Sequence, residues 1–165
     1  MRWLSAVAAL LSLACSRPER YVYMDLTDYF LEDDTKGVSA RILSTRIGED
    51  RYQAFFVPGN GSLSVRLVVP PEATLRFAPM LPPGSAVKDP LRVTFNVSAR
   101  SRGAMPQELW SGTRSRRSSG FRWVDVDLSR FAGSAIELIF ETTANDPENT
   151  ERSWAVWAAP RILST

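Results

Sequence analysis

The sequence predicts an all-β protein, an antiparallel β-sandwich with one short N-terminal helix. Several runs of residues alternate between apolar and polar side chains, for example Leu63 to Val69 and Leu91 to Ser98. Such alternation is the pattern of strands that bury one face and expose the other. Turn sequences rich in proline, glycine and asparagine separate the runs. Seven or eight short strands at this spacing, with little helical periodicity, are typical of a sandwich.

The first fourteen residues have the pattern of an export signal. One cationic residue, Arg2, precedes an apolar run that ends at Ala14 and is too short to cross a bilayer. The segment Leu11-Ser12-Leu13-Ala14-Cys15 resembles the lipobox of bacterial lipoproteins, in which the cysteine is lipidated and becomes the first residue. The commonest lipobox has leucine where this chain has Ser12. The alternatives are an ordinary secretory signal that is cut elsewhere, or a cytosolic protein.

The resemblance implies three segments and a location. Residues 1–14 are expected to be the signal peptide, residues 15–20 the lipidated Cys15 with its tether, and residues 21–165 one β-sandwich domain. The residue after the cysteine is Ser16 rather than aspartate. This favours anchoring in the bacterial outer membrane over retention in the inner membrane.

Composition excludes several classes of site. The chain has 165 residues, a length typical of one domain, and Cys15 is its only cysteine, so no disulfide stabilises it. It has no histidine, which excludes a Ser-His-Asp triad and the commonest zinc sites. The net charge of +2 is too small to indicate nucleic acid as a partner. We therefore expect a protein that is not an enzyme.

The helix is predicted near the start of the domain. Leu26, Tyr29 and Phe30 have helical spacing between Tyr21 and Gly37, with Asp25 as N-cap and Gly37 as the end. The strands are predicted from alternation and apolar runs. They are residues 52–57, 63–69, 73–78, 91–98, 124–128, 136–141 and 153–162.

Three further segments have predicted conformations. The sequence Pro58-Gly59-Asn60-Gly61 predicts a hairpin. The segment 111–120, rich in serine, glycine and arginine, predicts a mobile loop. The sequence Arg-Ile-Leu-Ser-Thr occurs at 41–45 and at 161–165, and both copies could be edge strands.

Five segments of the chain follow one another in a recognisable order. They are Val69–Phe77, Phe121–Ser129, Phe131–Gly133, Ile136–Thr142 and Trp154–Ile162. This order is similar to that of the galactose-binding-like jelly-roll modules of bacterial surface proteins, and the resemblance covers roughly Arg41 to Ile162. It implies a sandwich that binds sugars, other ligands or none, and that accompanies sulfatases and glycoside hydrolases. The chain could also be an accessory domain that has lost its hydrolase.

Carbohydrate is the expected ligand class, with Trp110 and Trp123 as the candidate stacking platforms. Trp123 has the same parity along its strand as Asp125 and Asp127, which places an indole and two carboxylates on one strand face. Such a face could hold a sugar by stacking and hydrogen bonds. The alternative is that the tryptophans fill the core or cover a sheet edge.

Arginines are concentrated between residues 100 and 122. They could bind an anionic polysaccharide or lipid phosphates, or they could dock an envelope protein, since guanidinium groups match oxyanions. The alternative is a solvated loop. The candidate ligand-binding residues here are Arg114, Arg116 and Arg117, with Arg100, Arg102 and Arg122 nearby.

Carboxylates are candidates for catalysis and for metal binding. A pairing of Asp127 with Glu137 across strands would be needed for glycosidase chemistry. A structural calcium ion is the only cofactor considered, since two acidic segments could supply oxygen ligands. Those segments are Asp25 to Asp34 and Asn145 to Asn149.

Overall fold

A computed structural model of the protein describes residues 19–30, 41–57, 60–81, 91–115, 121–145 and 155–165. The signal, Cys15 and the predicted helix end at Gly37 lie outside these ranges. The elements found in them are β1 (Tyr21–Asp25), α1 (Leu26–Phe30), β2 (Arg41–Ile47), β3 (Asp50–Val57), β4 (Asn60–Val68), β5 (Thr74–Met80), β6 (Arg92–Ser101), β7 (Gln107–Ser115), β8 (Val124–Asp127), the 3₁₀ turn η1 (Ser129–Phe131), β9 (Ala135–Ala144) and β10 (Ala155–Ser164).

The strands form two antiparallel sheets, and the predicted β-sandwich is confirmed. The six-stranded sheet has the order β2-β3-β10-β5-β8, with β1 also paired to β10. The four-stranded sheet has the order β4-β9-β6-β7. In the described part of the chain, no helix is long and apolar enough to cross a membrane.

Aromatic rings occupy the centre of the core between the sheets. Trp157 of β10 is fully buried, and its ring centroid lies 4.9 Å from that of Phe95 and 5.1 Å from that of Phe140. Phe77 of β5 lies 5.3 Å from the same indole. The apolar positions of each alternating strand therefore meet at one aromatic cluster, as the sequence pattern predicts.

The predicted hairpin at Pro58-Gly59-Asn60-Gly61 is wrong. Strand β3 pairs with β2 and β10, whereas β4 pairs with β9 in the other sheet. The connection from β3 to β4 therefore crosses between sheets. A tight hairpin instead joins β2 to β3, where Gly48 has a φ of +65°, a conformation that favours glycine.

The N-terminal segment contains a strand that helical spacing alone did not predict. Tyr21–Asp25 is β1, and the helix that follows has only five residues. Asp25 caps this helix as expected, because its Oδ1 accepts hydrogen bonds from the Thr27 N–H (3.0 Å) and the Thr27 hydroxyl (2.6 Å).

The loop predicted at 111–120 is wrong for its first half. Residues up to Ser115 belong to β7, which pairs with β6. Exposed polar residues alternate with half-buried residues along this edge strand. Because it needs few apolar side chains, its serine and glycine content resembles that of a loop. The first Arg-Ile-Leu-Ser-Thr copy lies in β2, and most of the second lies in β10.

Candidate functional site

Three aromatic side chains gather on the outer face of the six-stranded sheet, and we call Tyr52, Phe121 and Trp123 the aromatic face. The centroid of the Trp123 ring lies 5.6 Å from that of Tyr52 and 6.4 Å from that of Phe121, both in edge geometry. Trp123 is 37% exposed and Phe121 is 42% exposed. The indole is therefore held by neighbours and still open to solvent.

Small residues beneath these rings explain how they meet. Tyr52 belongs to β3 and Trp123 directly precedes β8, so three strand spacings, about 14 Å, separate their backbones. Ala54, Ala158 and Ala78 lie between them in one register row across β3, β10 and β5, and all three are buried. The two rings therefore lean towards each other over a floor of methyl groups.

An ion pair borders the aromatic face on β5 and β8. Arg76 donates two hydrogen bonds of 2.6 Å to the two oxygens of Asp125, as expected for residues directly opposite in the register. The Arg76 hydrogen bonds lower the pKa of the Asp125 carboxyl. The carboxylate predicted as a ligand acceptor is therefore already engaged by a guanidinium that sequence reasoning missed.

Asp127 is the more open of the two predicted carboxylates. Hydrogen bonds from Ser129, including its N–H at 2.8 Å to Oδ1, lower the pKa of the Asp127 carboxyl. Its side chain is exposed. Asp127 is thus ionised at neutral pH and has an oxygen available to accept a hydrogen bond.

Arg161 of β10 adds a donor to this face. Its guanidinium lies over the Tyr52 ring, 5.1 Å from the centroid. Its Nε is buried and has no hydrogen-bond partner among the described residues. Tyr52, Arg76 and Arg161 were not predicted, although each occupies an outward position of its strand, and that parity was the available signal.

Trp110 does not belong to the aromatic face. It lies in β7 of the other sheet, where its indole packs inward with its centroid 5.2 Å from that of Phe77. Gly112 makes room for it, because a Cβ there would lie 2.6 Å from the indole. Trp110 is half-buried at the margin of the core, which matches the alternative that it serves packing.

The predicted arginine cluster is dispersed in the described part of the chain. Arg114 donates through Nε to the Pro79 carbonyl of the opposite sheet at 3.3 Å. Arg100 is paired with Glu137 on the outer face of the four-stranded sheet. Arg122 is exposed next to the aromatic face. Arg116 and Arg117 lie outside the described residues.

The carboxylates considered for catalysis do not meet. Asp127 lies in the six-stranded sheet and Glu137 in the four-stranded sheet, on opposite outer faces of the sandwich. The ranges that the structure describes contain no group of three acidic residues that could hold a metal ion. Asp33, Asp34 and residues 146–149 lie outside those ranges, so the calcium hypothesis stays a prediction.

The outer face of the four-stranded sheet contains two hollows. One, of about 590 Å³, is lined by hydroxyl, amide and carboxylate side chains that include Asn96, Glu108 and Glu141. The other, of about 660 Å³, lies at the opposite end of the sheet between Arg66, Arg100 and Arg102. We call the second the arginine hollow. Neither has an aromatic ring among its lining residues.

No family model matches the chain. A protein of Archaeoglobus fulgidus described as uncharacterized is 34% identical over 102 residues, which are 58% of this chain and 25% of that protein. The chain thus spans about a quarter of the length of this curated relative.

Solved structures share the fold. The CBM22-1–CBM22-2 tandem domain of Paenibacillus barcinonensis Xyn10C is 12% identical with a TM-score of 0.52, covering 96% of this chain and 53% of that chain. CBM51-2 with the INT domains of Clostridium perfringens ZmpB, in complex with GlcNAc, is 13% identical with a TM-score of 0.49, covering 76% and 28%. The two antiparallel sheets, with the likeness to the tandem domain, confirm the predicted jelly-roll sandwich as the fold.

Proposed function

We propose that the protein is a non-catalytic glycan-binding module held at the cell envelope by a lipid on Cys15. The glycan part rests on the aromatic face, where an exposed tryptophan lies between two aromatic rings and on the same strand face as an ionised carboxylate. An indole offers a flat apolar surface to the C–H face of a sugar, and carboxylates accept hydrogen bonds from hydroxyl groups.

Each side chain has a separate role in this proposal. Trp123 stacks on the sugar ring, and Tyr52 and Phe121 fix the orientation of the indole. Asp127 accepts hydrogen bonds from hydroxyl groups. Arg161 lies over the Tyr52 ring and holds it in place, and the Arg76–Asp125 pair bounds the site on one side.

The fold supports the same function without deciding the ligand. The neighbour with the TM-score of 0.52 is a pair of carbohydrate-binding modules. The archaeal relative contains a matching segment within a longer chain, which is compatible with a role as one module of a larger protein. Fold alone does not specify function, so the aromatic face carries the argument.

A glycan array with the full-length chain tests the proposal. The wild type should bind at least one neutral glycan, and Trp123→Ala should weaken that binding about tenfold through loss of stacking. Trp123→Phe, which keeps a ring, should retain part of the affinity. Met105→Ala is the control, because Met105 is 86% exposed and lies in the β6–β7 connection. Wild-type affinity in Trp123→Ala would contradict the proposal.

The lipid anchor has its own test. The wild type should incorporate radiolabelled palmitate and fractionate with the outer membrane. Cys15→Ser should do neither and should still bind glycan. A wild type recovered without lipid in the soluble fraction would refute the anchor and leave the glycan site untouched.

A second candidate function is docking of an envelope protein at β1. In the described ranges this strand pairs with β10 only, and Tyr21, Val22 and Tyr23 are each about half exposed. An exposed apolar edge strand can accept a strand from a partner. Loss of an envelope partner from co-purification in Val22→Lys, with glycan binding unchanged, would favour this function.

A further inference from the structure

The arginine hollow has a built geometry that the aromatic face does not explain. Arg66, Glu137 and Arg100 lie side by side on β4, β9 and β6, directly opposite one another in the register. In the next outward row, Val68 lies opposite Ala135. Arg102 follows the end of β6 and also lines the hollow.

The depression arises from side-chain size. Ala135 is small and exposed, and the longer side chains of Val68, Glu137 and Arg102 surround it. Val68 is 59% exposed, which is unusual for an apolar side chain on a charged surface. The hollow therefore has an apolar floor with charged walls, and its size of about 660 Å³ falls in the range of ligand pockets.

The charges in the hollow are not balanced. Both oxygens of Glu137 are used, since the Ser64 hydroxyl donates to Oε1 at 2.8 Å and Arg100 Nε donates to Oε2 at 3.0 Å. Within the part of the chain that the structure describes, Arg66 and Arg102 have no hydrogen-bond or ion-pair partner. Three guanidinium groups thus surround one carboxylate, and only Arg100 donates hydrogen bonds to it, whereas Arg66 acts on it through its charge alone. The hollow therefore carries an excess of positive charge.

We propose that the arginine hollow binds the carboxylate or sulfate group of an acidic polysaccharide. Arg66 and Arg102 hold the oxyanion from two sides, because planar guanidinium groups match carboxylate and sulfate oxygens. Val68 and Ala135 contact the C–H surface of the sugar. The open sheet surface on either side accommodates a chain of sugars. This site lies on the opposite face of the sandwich from Trp123, so it does not depend on the function proposed there.

Calorimetric titration of the full-length chain with polygalacturonate, dextran sulfate and neutral dextran, in 150 mM NaCl, tests the proposal. At least one acidic polymer should bind and dextran should not. The double variant Arg66→Ala/Arg102→Ala should lose about tenfold or more in affinity. Arg46→Ala/Arg51→Ala is the matched control, because it removes the same charge from two exposed arginines of the β2–β3 hairpin. The control should bind as the wild type does.

Glu137→Gln tests whether the carboxylate in the hollow competes with the ligand. It removes the competing carboxylate beside Arg100 and should raise affinity about fivefold, with binding to neutral glycans unchanged. Equal losses in the two arginine double variants, or no binding of either acidic polymer, would overturn the proposal. Binding to phosphatidylglycerol vesicles that is lost in Arg66→Ala/Arg102→Ala, without binding to the polymers, would also overturn it in favour of a lipid surface.

Discussion

The two outer faces of the sandwich expose different side chains over the same core. The six-stranded sheet presents aromatic rings on an alanine floor, with Trp123 between Tyr52 and Phe121. The four-stranded sheet presents hydroxyl, amide and charged groups around two hollows with no aromatic ring among their lining residues. Inward positions are committed to packing, so outward positions are free to carry different binding chemistry on each sheet.

The largest difference in the free energy of unfolding is expected between a substitution of an inward-facing tryptophan and one of an outward-facing tryptophan. Trp157→Ala should lower the free energy of unfolding by about 3–5 kcal/mol, because it removes the ring that Phe95 and Phe140 contact from the other sheet. Trp123→Ala should cost about 1 kcal/mol, since only edge contacts are lost. Urea unfolding of both variants checks the difference. Equal costs would mean that Trp123 is a packing residue and not a free platform.

A smaller loss of stability is expected from crowding Trp110, which packs inward as Trp157 does. Gly112→Ala places a methyl group 2.6 Å from the Trp110 indole and should cost about 1–3 kcal/mol through overpacking. In a Trp110→Leu background the same substitution should cost little, which a double-mutant cycle by urea unfolding measures. Additive costs would show that the cost of Gly112→Ala does not come from its contact with the indole.

The sequence predicted the strands of the core better than their partners. Alternation located β4, β6, β8 and β9, because burial of one face determines the pattern whatever strand lies alongside, and apolar runs located β3, β5 and β10. Pairing depends on where each strand crosses between the sheets. A turn sequence such as Pro58-Gly59-Asn60-Gly61 favours a reversal locally, and it contains no information about which sheet the next strand joins.

The sequence predicted only part of the candidate site, because long-range strand pairing brings most of its side chains together. Parity correctly placed Trp123 beside Asp125 and Asp127, because all three lie along one extended segment. Tyr52 and Arg161 reach the same face from strands about 70 residues before and about 40 after it, and only the register brings them there. Local pattern therefore identifies one strand of a site, whereas the composition of the site depends on long-range pairing.

The smallest expected difference in stability is between variants that break the ion pair on one outer face and on the other. The Glu137 side chain is 15% exposed and that of Asp125 is 41% exposed. Glu137→Gln should therefore cost about 1–2 kcal/mol at pH 7, and Asp125→Asn less than about 1 kcal/mol because solvent screens the pair.

The pH dependence of these costs follows from the direction of the pKa shifts. Hydrogen bonds from Arg100 and from Arg76 lower the pKa of Glu137 and of Asp125 in the folded protein. The stabilisation is therefore fully present above the unfolded pKa of about 4 and is lost as the pH falls through the folded pKa. In urea unfolding, the wild type should approach the stability of each variant as the pH falls below about 4. A cost that stays constant as the pH falls would show that the carboxylates act through packing. A larger cost for Asp125→Asn than for Glu137→Gln would reverse the ranking of the two faces.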